Sequence, residues 1–129
     1  QWSSSAASDV YKRQEFIQVV VNIVNNAVKY SKDGAKIFIN AREKMNTSTM
    51  TEYVEISFKD NGIGIAEEHI SRLTERFYRV DSARSKEVGG TGLGLSIVKH
   101  ILNKNMGFID IKSEVGKGSE FLITIPKHA

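Results

Sequence analysis

The chain contains no cysteine among its 129 residues, which excludes several kinds of site at once. Disulfide bridges, zinc sites with thiolate ligands and cysteine nucleophiles all require that side chain. No apolar run approaches the ~20 residues needed to cross a bilayer. The N-terminus also lacks the basic residues and short apolar segment of a signal peptide. We therefore expect this stretch of chain to lie outside the membrane.

Charge of one sign is also scarce, because 18 basic and 15 acidic residues leave a formal net charge of only +3. Five basic side chains crowd together ahead of a glycine cluster: Arg72, Arg76, Arg79, Arg84 and Lys86. Carboxylates lie among them, so charge alone favours a solvated surface of mixed charge over a nucleic-acid site. With 40% hydrophobic residues, a chain of this length suits one compact domain.

Residues 1–14 show no clear hydrophobic period, and the chain starts with Gln1. We interpret this segment as a tag-like or mis-joined leader without a function, and residues 15–129 as one domain. Over residues 15–30 the apolar residues recur at helical spacing and cover most of the circumference, which predicts a largely buried helix. Residues 31–34, SKDG, are a helix stop and turn signal.

The rest of the chain predicts a sheet with two further helices. Residues 35–41 and 53–58 are typical of neighbouring strands with one wet face, joined by a polar surface loop. A short helix over 67–74 and a longer one over 95–105 follow. Residues 108–114 and 120–126 then form a hairpin across the turn VGKGS. These elements predict an α+β domain of two layers, with the helices packed on one face of an antiparallel or mixed sheet.

Four glycines fall within six positions where residues 87–96 read EVGGTGLGLS. Glycine can adopt positive φ and lets backbone N–H groups approach a ligand, and the start of a helix favours an anion. Because Gly92, Leu93 and Gly94 lead directly into an apolar helical stretch, this loop is a candidate phosphate site. A flexible linker or a tight turn would use the same glycines, and the pattern alone does not decide between them.

Three polar residues lie on one face of the first helix, because Asn22, Asn26 and Lys29 are spaced i, i+4 and i+7. An amide buried without partners costs ~1–3 kcal/mol, so this face should meet either protein groups or a ligand. Asparagine oxygens suit Mg²⁺, which shares triphosphate oxygens and keeps several waters. An internal hydrogen-bond network is an equally good interpretation of this helix taken alone.

The loop at residues 60–65, DNGIGI, follows the second predicted strand. The carboxylate of Asp60 could accept a hydrogen bond from an exocyclic amine such as that of adenine. The glycines of this loop would let a flat ring approach the backbone. Taken singly, the same residues favour a plain Asx turn.

Five short stretches occur in a fixed order: NIVNNAVKYS, DNGIGI, RFYRVD, GGTGLGLSIVK and GKGSEF. They resemble, in that order, the N, G1, F, G2 and G3 boxes of the ATP-binding catalytic domain of two-component sensor histidine kinases, a branch of the GHKL superfamily. The resemblance covers about residues 16–126. Any one box is a weak signal, whereas five in order are specific.

The resemblance implies a nucleotide held between the N-box helix and a mobile lid. Asn26 would bind Mg²⁺ with Asn22 beside it, Lys29 would contact phosphate oxygens, and Tyr30 would pack on the adenine ring. The alternative for Tyr30 is a core aromatic. At the purine end, Asp60 would accept from the adenine amino group. The other implied contacts of this loop are Gly62, Gly64 and Ile65.

The glycine-rich stretch would close over the triphosphate, through residues Gly90, Thr91, Gly92, Leu93, Gly94 and Leu95. Residues 80–89 would be the lid, with Phe77 anchoring it to the body of the domain. Arg79 would reach the γ-phosphate, because positioned cations assist phosphoryl transfer. Arg84 could do the same, although a solvated charge is the preferred interpretation. Gly116 and Gly118 would shape the last hairpin rather than contact ATP.

Two departures from the family pattern stand out. Many relatives carry an aromatic residue at the start of the F box, where this chain has Thr74, so the lid anchor is expected to be looser. Relatives also carry a strand and an acidic turn before the N box, where this chain has the leader that ends at Gln14. The second departure concerns stability more than the site.

The resemblance implies a cytoplasmic domain of a membrane-anchored sensor kinase, with ATP and Mg²⁺ as cofactors. The γ-phosphoryl group would pass to a histidine on a separate dimerisation domain, and a response regulator would act downstream. We expect this piece to be monomeric and unable to phosphorylate itself, since none of its three histidines lies in the motif the family phosphorylates. Related ATPases and serine kinases carry a glutamate where this chain has Asn22, and an amide cannot serve as their base. These ATPases and serine kinases are the weaker alternative. A nucleotide-binding module without transfer activity is a further alternative.

Overall fold

The computed structural model describes residues 4–29, 34–75 and 94–127, with side chains from residue 12 onward. Its first helix, α1, spans Ser4–Lys29. The predicted start at residue 15 was therefore too late. Residues 4–14 lack apolar periodicity, but five of these eleven residues are alanine, lysine, arginine or glutamine, which have high intrinsic helix propensity. The same helix thus runs through the boundary drawn between leader and domain.

Two further helices and four strands make up the rest of the described chain. Helix α2 spans Glu67–Ile70 and helix α3 spans Gly94–Lys104, while the strands are β1 (Ile37–Asn46), β2 (Thr51–Asp60), β3 (Phe108–Glu114) and β4 (Gly118–Pro126). The strands form one sheet in the order β1-β2-β4-β3, and every pair is antiparallel. The predicted α+β class is confirmed, and the parallel pair of a mixed sheet does not occur among these strands.

One face of the sheet carries the core. Phe58 pairs with Phe121, and Phe121 pairs with Ile111, so a row of apolar side chains crosses three strands. Helices α1 and α3 cover this face with Val19, Ile23, Val98 and Leu102, each at most 1% exposed. Burial of each such side chain stabilises the fold by ~1.5–3 kcal/mol. The face of the sheet that holds both helices in place is therefore the same face that continues into the candidate site.

The outer face of the sheet is polar, and ion pairs hold β1 against β2. Arg42 and Lys44 of β1 contact the two carboxylate oxygens of Glu55 at 2.6 and 3.0 Å. Hydrogen bonds from these two cations hold the pKa of Glu55 below its usual value. These contacts also explain why β1 extends beyond residue 41, where the strand was predicted to end. The charged residues of β1 weaken the strand signal in the sequence, but Glu55 of β2 pairs with them.

Apolar side chains stay exposed on the β1 side of the molecule. Ile39 of β1 is 56% exposed, and Ile17, Val21 and Val28 are exposed along one flank of α1. Among the described strands β1 pairs only with β2, so none of them covers its outer backbone edge. In the part of the chain that the structure describes, no helix is both long and apolar enough to span a membrane.

Candidate functional site

The core face of the sheet changes from apolar to polar within one row of residues. One step beyond Phe58, Phe121 and Ile111, the same face carries Asp60 at the end of β2, Ser119 at the start of β4, and Ser113 on β3. Asp60 and Ser119 are each only 7% exposed. A buried polar row at the edge of an apolar core requires partners for its polar atoms.

The carboxylate of Asp60 is oriented by two backbone donors. The N–H groups of Gly62 and Ser119 both donate to Oδ1, at 2.9 and 3.3 Å. The bond from Gly62 is the Asx turn that the sequence allows. Because both bonds use Oδ1, the second carboxylate oxygen is left for a further donor. A turn and a ligand contact are thus compatible at this aspartate.

The loop that follows Asp60 is fastened to the β3–β4 hairpin. The Ile65 N–H donates to Ser113 Oγ at 2.7 Å, and the Gly116 N–H donates to the Ile63 carbonyl at 2.8 Å. Gly64 has φ +77°, and a Cβ placed there would overlap the backbone carbonyl of Glu114. The structure therefore gives this glycine a packing reason, since only glycine allows the hairpin to approach so closely.

Two other residues predicted for the purine end, Gly62 and Ile65, also make contacts within the protein. Gly62 is buried, and its N–H bonds Asp60. The side chain of Ile65 is 2% exposed and lies in the hydrophobic core. A role for either residue in contacting a base stays a prediction. Gly118, predicted to shape the hairpin, has φ +114°, and its missing side chain gives room to the carbonyl of Asp60.

The polar face of α1 contains an unsatisfied amide. Asn22 Nδ2 is fully buried and has no hydrogen-bond partner among the described residues. Asn26 and Lys29 are half-buried on the same helix. An internal network that included Asn22 Nδ2 would have given it a partner, whereas a ligand or a bound water would account for an orphan donor.

The described part of helix α3 starts beside Asn22. A Cβ built on Gly94, the first residue of α3, would lie 4.0 Å from the Cβ of Asn22. The first N–H groups of a helix have no partner within the helix and carry partial positive charge. Leu95 is 5% exposed and belongs to the core, so only its backbone is available to a ligand. A helix start and an unpaired amide therefore adjoin.

Several predicted residues lie outside the described residues: Tyr30, Phe77, Arg79, Gly90, Thr91, Gly92 and Leu93, together with Arg84 and the lid segment 80–89. Their roles stay predictions. Within the described ranges no three His, Asp or Glu side chains are grouped so that they could hold a metal ion. The oxygens that the described part of this site could offer a metal are amide oxygens, and water and a ligand's own oxygens could complete the shell, as in Mg²⁺ sites with phosphate ligands.

Two site residues, Ser113 and Ser119, were missed in the sequence. Their hydroxyl oxygens are 2.7 Å apart on opposite strands of the hairpin. The hairpin was predicted across residues 115–119, but β4 already begins at Gly118, and this shorter turn is what pairs Ser113 with Ser119. The bond from the Ser119 N–H to Asp60 joins residues 59 positions apart and has no local signal.

Comparisons with known proteins agree with one another. Residues 11–129 match the family described as "Histidine kinase-, DNA gyrase B-, and HSP90-like ATPase". "Sensor protein SrrB" of Staphylococcus aureus is 44% identical over 117 residues, which are 91% of this chain but 19% of that protein. The chain thus spans about a fifth of the length of the curated relatives it matches.

Solved structures are similar too. A nucleotide-free "Catalytic domain of histidine kinase ThkA" shares 30% identity at a TM-score of 0.71, over 90% of this chain and 68% of that one. "ShkA full-length in complex with AMPPNP" shares 27% identity at a TM-score of 0.69, over 89% of this chain and 22% of that one. "Mycobacterial sensor histidine kinase MprB" shares the fold, with 24% identity and a TM-score of 0.72 over 89% of this chain and 72% of that one.

Proposed function

The chain belongs to the histidine kinase-, DNA gyrase B- and HSP90-like ATPase family, and we propose that it acts as one of the histidine kinase catalytic domains of that family. It would bind Mg-ATP and transfer the γ-phosphoryl group to a histidine of a separate dimerisation domain. In the complete protein a response regulator would receive the group. This domain would then be the cytoplasmic catalytic part of a membrane-anchored sensor. The observation that carries the proposal is the buried Asp60, aimed by two N–H groups at the end of an apolar sheet face.

The purine end of the site is assigned to the loop after β2. With Oδ1 of Asp60 committed to the N–H groups of Gly62 and Ser119, the other oxygen can accept from the exocyclic amine of adenine. A keto group at that position of a purine is an acceptor and would face the carboxylate without a hydrogen. The site should therefore prefer adenine over hypoxanthine and guanine.

The phosphate end is assigned to α1 and the start of α3. Asn26 and Asn22 have the amide oxygens that would hold Mg²⁺, and Lys29 would lie against the phosphates. A bound Mg²⁺ would neutralise phosphate charge and orient the phosphoryl group. The unpaired Nδ2 of Asn22 fits a phosphate group at this end, because a phosphate oxygen could accept the hydrogen bond that Nδ2 lacks. Arg79, Phe77 and the glycine-rich stretch 90–94 complete this end of the proposal.

Transfer is favoured over hydrolysis by the chemistry of Asn22. An amide cannot take a proton at neutral pH, so this position cannot activate water as a glutamate would. An ATPase or a serine kinase of the same superfamily is therefore the weaker alternative. A binding module without transfer activity is the other, because the isolated chain has no acceptor motif around its histidines.

Transfer is tested by incubating the 129-residue chain with Mg²⁺, γ-labelled ATP and a purified dimerisation domain from the relative that is 44% identical. We expect acid-labile label on the histidine of the added domain and none on the chain alone. A dimerisation domain with that histidine replaced is the control. Tight nucleotide binding without label would support the binding module, and phosphate release without label would support the ATPase.

Replacing Asn22 should separate stability from function. Asn22→Leu removes a buried donor that has no partner among the described residues. We expect the nucleotide-free chain to gain ~1 kcal/mol of unfolding free energy, while Mg-ADP binding weakens about tenfold. Urea denaturation and calorimetry measure the two effects. Asn103→Leu, an exposed position on α3, is the control. A loss of stability without a change in affinity would make Asn22 a structural residue and contradict its assignment.

A further inference from the structure

Ser113 uses every hydrogen-bonding position of its hydroxyl group within the protein. Its Oγ accepts from the Ile65 N–H at 2.7 Å and donates to the Gly118 carbonyl at 2.9 Å. It also lies 2.7 Å from Ser119 Oγ. A hydroxyl has one proton and two lone pairs, and its proton is committed to Gly118. Ser119 is therefore the donor in the bond between the two serines, and Ser113 has nothing left for a ligand.

These three bonds join the two segments that aim Asp60. Ile65 belongs to the loop that contains Gly62, the first N–H donor to the carboxylate, and Ser119 supplies the second donor. Gly118 packs against the backbone of Asp60 so closely that a side chain there would overlap it. The hydroxyl of Ser113 thus fixes the distance between the loop and the start of β4, and with it the direction of the carboxylate.

We propose that Ser113 is a positioning residue for base recognition, which sets the selectivity of the site for adenine through Asp60 without touching the nucleotide. This inference rests on the proposed function. Ser113 is on β3 and makes no bond to Asn22, Asn26 or Gly94 among the described contacts. Its loss should therefore affect recognition of the base and leave the phosphate end intact. Selectivity between bases is the quantity that separates this role from a general effect on stability.

The test compares Mg-ADP with Mg-IDP, which differ at position 6 of the purine, by calorimetry on the full 129-residue chain. In Ser113→Ala the Ile65 N–H and the Ser119 hydroxyl lose their partner. We expect ADP to bind about tenfold more weakly while IDP affinity changes by less than about twofold. Ser113→Thr keeps the hydroxyl and should restore the parental preference for ADP.

The matched control is Ser57→Ala, on the outer face of the same sheet. Ser57 Oγ also makes a side-chain hydrogen bond, to Glu120 Oε2 at 2.8 Å, and Ser57 is half-buried. This change should lower stability through the loss of one hydrogen bond and leave the preference for ADP over IDP unchanged. If Ser113→Ala fails to fold, Ser113→Cys takes its place, because a thiol is a weak donor and acceptor. We expect an intermediate loss of preference in that variant.

Each result decides a separate question. A parent chain that binds no Mg-ADP overturns the proposed function, and the inference with it. A parent that prefers ADP, beside a Ser113→Ala or Ser113→Cys variant with the same preference, overturns the positioning role alone. Equal weakening of ADP and IDP without rescue by threonine also overturns it, since that is the pattern of a general structural defect.

Discussion

Asp60→Asn is expected to weaken Mg-ADP binding about 100-fold, because the variant loses a charge-assisted hydrogen bond and buries an unpaired donor. An asparagine can still accept from the Gly62 and Ser119 N–H groups through its oxygen. Its NH₂ group then takes the place of the free carboxylate oxygen and faces the amine of adenine, donor against donor. Turning the amide over would relieve that contact but leave two backbone N–H groups facing an NH₂.

The same change should reduce the preference for adenine or reverse it. The NH₂ group that Asp60→Asn introduces can donate to the keto oxygen of IDP, so IDP should bind the variant at least as well as the parent. Calorimetry with both nucleotides measures the effect, and Asp110→Asn, at an exposed position of β3, controls for the loss of a negative charge. Parental affinity for ADP in the Asp60→Asn variant would show that the base is bound elsewhere.

Elements with a strong local pattern could be predicted from the sequence. The strand Phe108–Glu114 was predicted to the residue, because apolar Ile109 and Ile111 alternate with charged Asp110 and Lys112 and a glycine precedes the strand. The C-terminal end of helix α3 was predicted within one residue, since the apolar residues of this helix keep helical spacing. The start of α1 was missed because helix propensity extends this helix beyond its apolar pattern. The end of β1 was missed because ion pairs with β2 extend this strand in the same way.

The contacts that arrange the site could not be predicted in the same way. The spacing of Asn22, Asn26 and Lys29 places them on one face, but it does not reveal which amide lacks a partner. That depends on the approach of α3, which begins far away in the sequence. The aim of Asp60 likewise depends on an N–H from β4. Motif order identifies the residues of such a site, whereas its geometry is a property of packing between distant segments.

Gly64→Ala is expected to destabilise the chain by ~4 kcal/mol, or roughly 15 °C in Tm. Alanine at φ +77° costs ~1–2 kcal/mol from backbone strain. Its Cβ would also overlap the carbonyl of Glu114, so the loop and the hairpin would have to separate. Separation breaks the Ile65–Ser113 and Gly116–Ile63 hydrogen bonds, each worth ~1 kcal/mol. Urea denaturation followed by circular dichroism measures the loss.

Gly34→Ala is the matched control, because Gly34 has nearly the same φ, +76°, but no atom of the described residues lies within 4 Å of an added Cβ. It should cost ~1 kcal/mol, the strain without the overlap. The difference between the two variants therefore measures how tightly the loop after β2 is held against the β3–β4 hairpin. If both variants lost the same stability, the hairpin would not support the loop. The aim of Asp60 would then have to come from the loop alone.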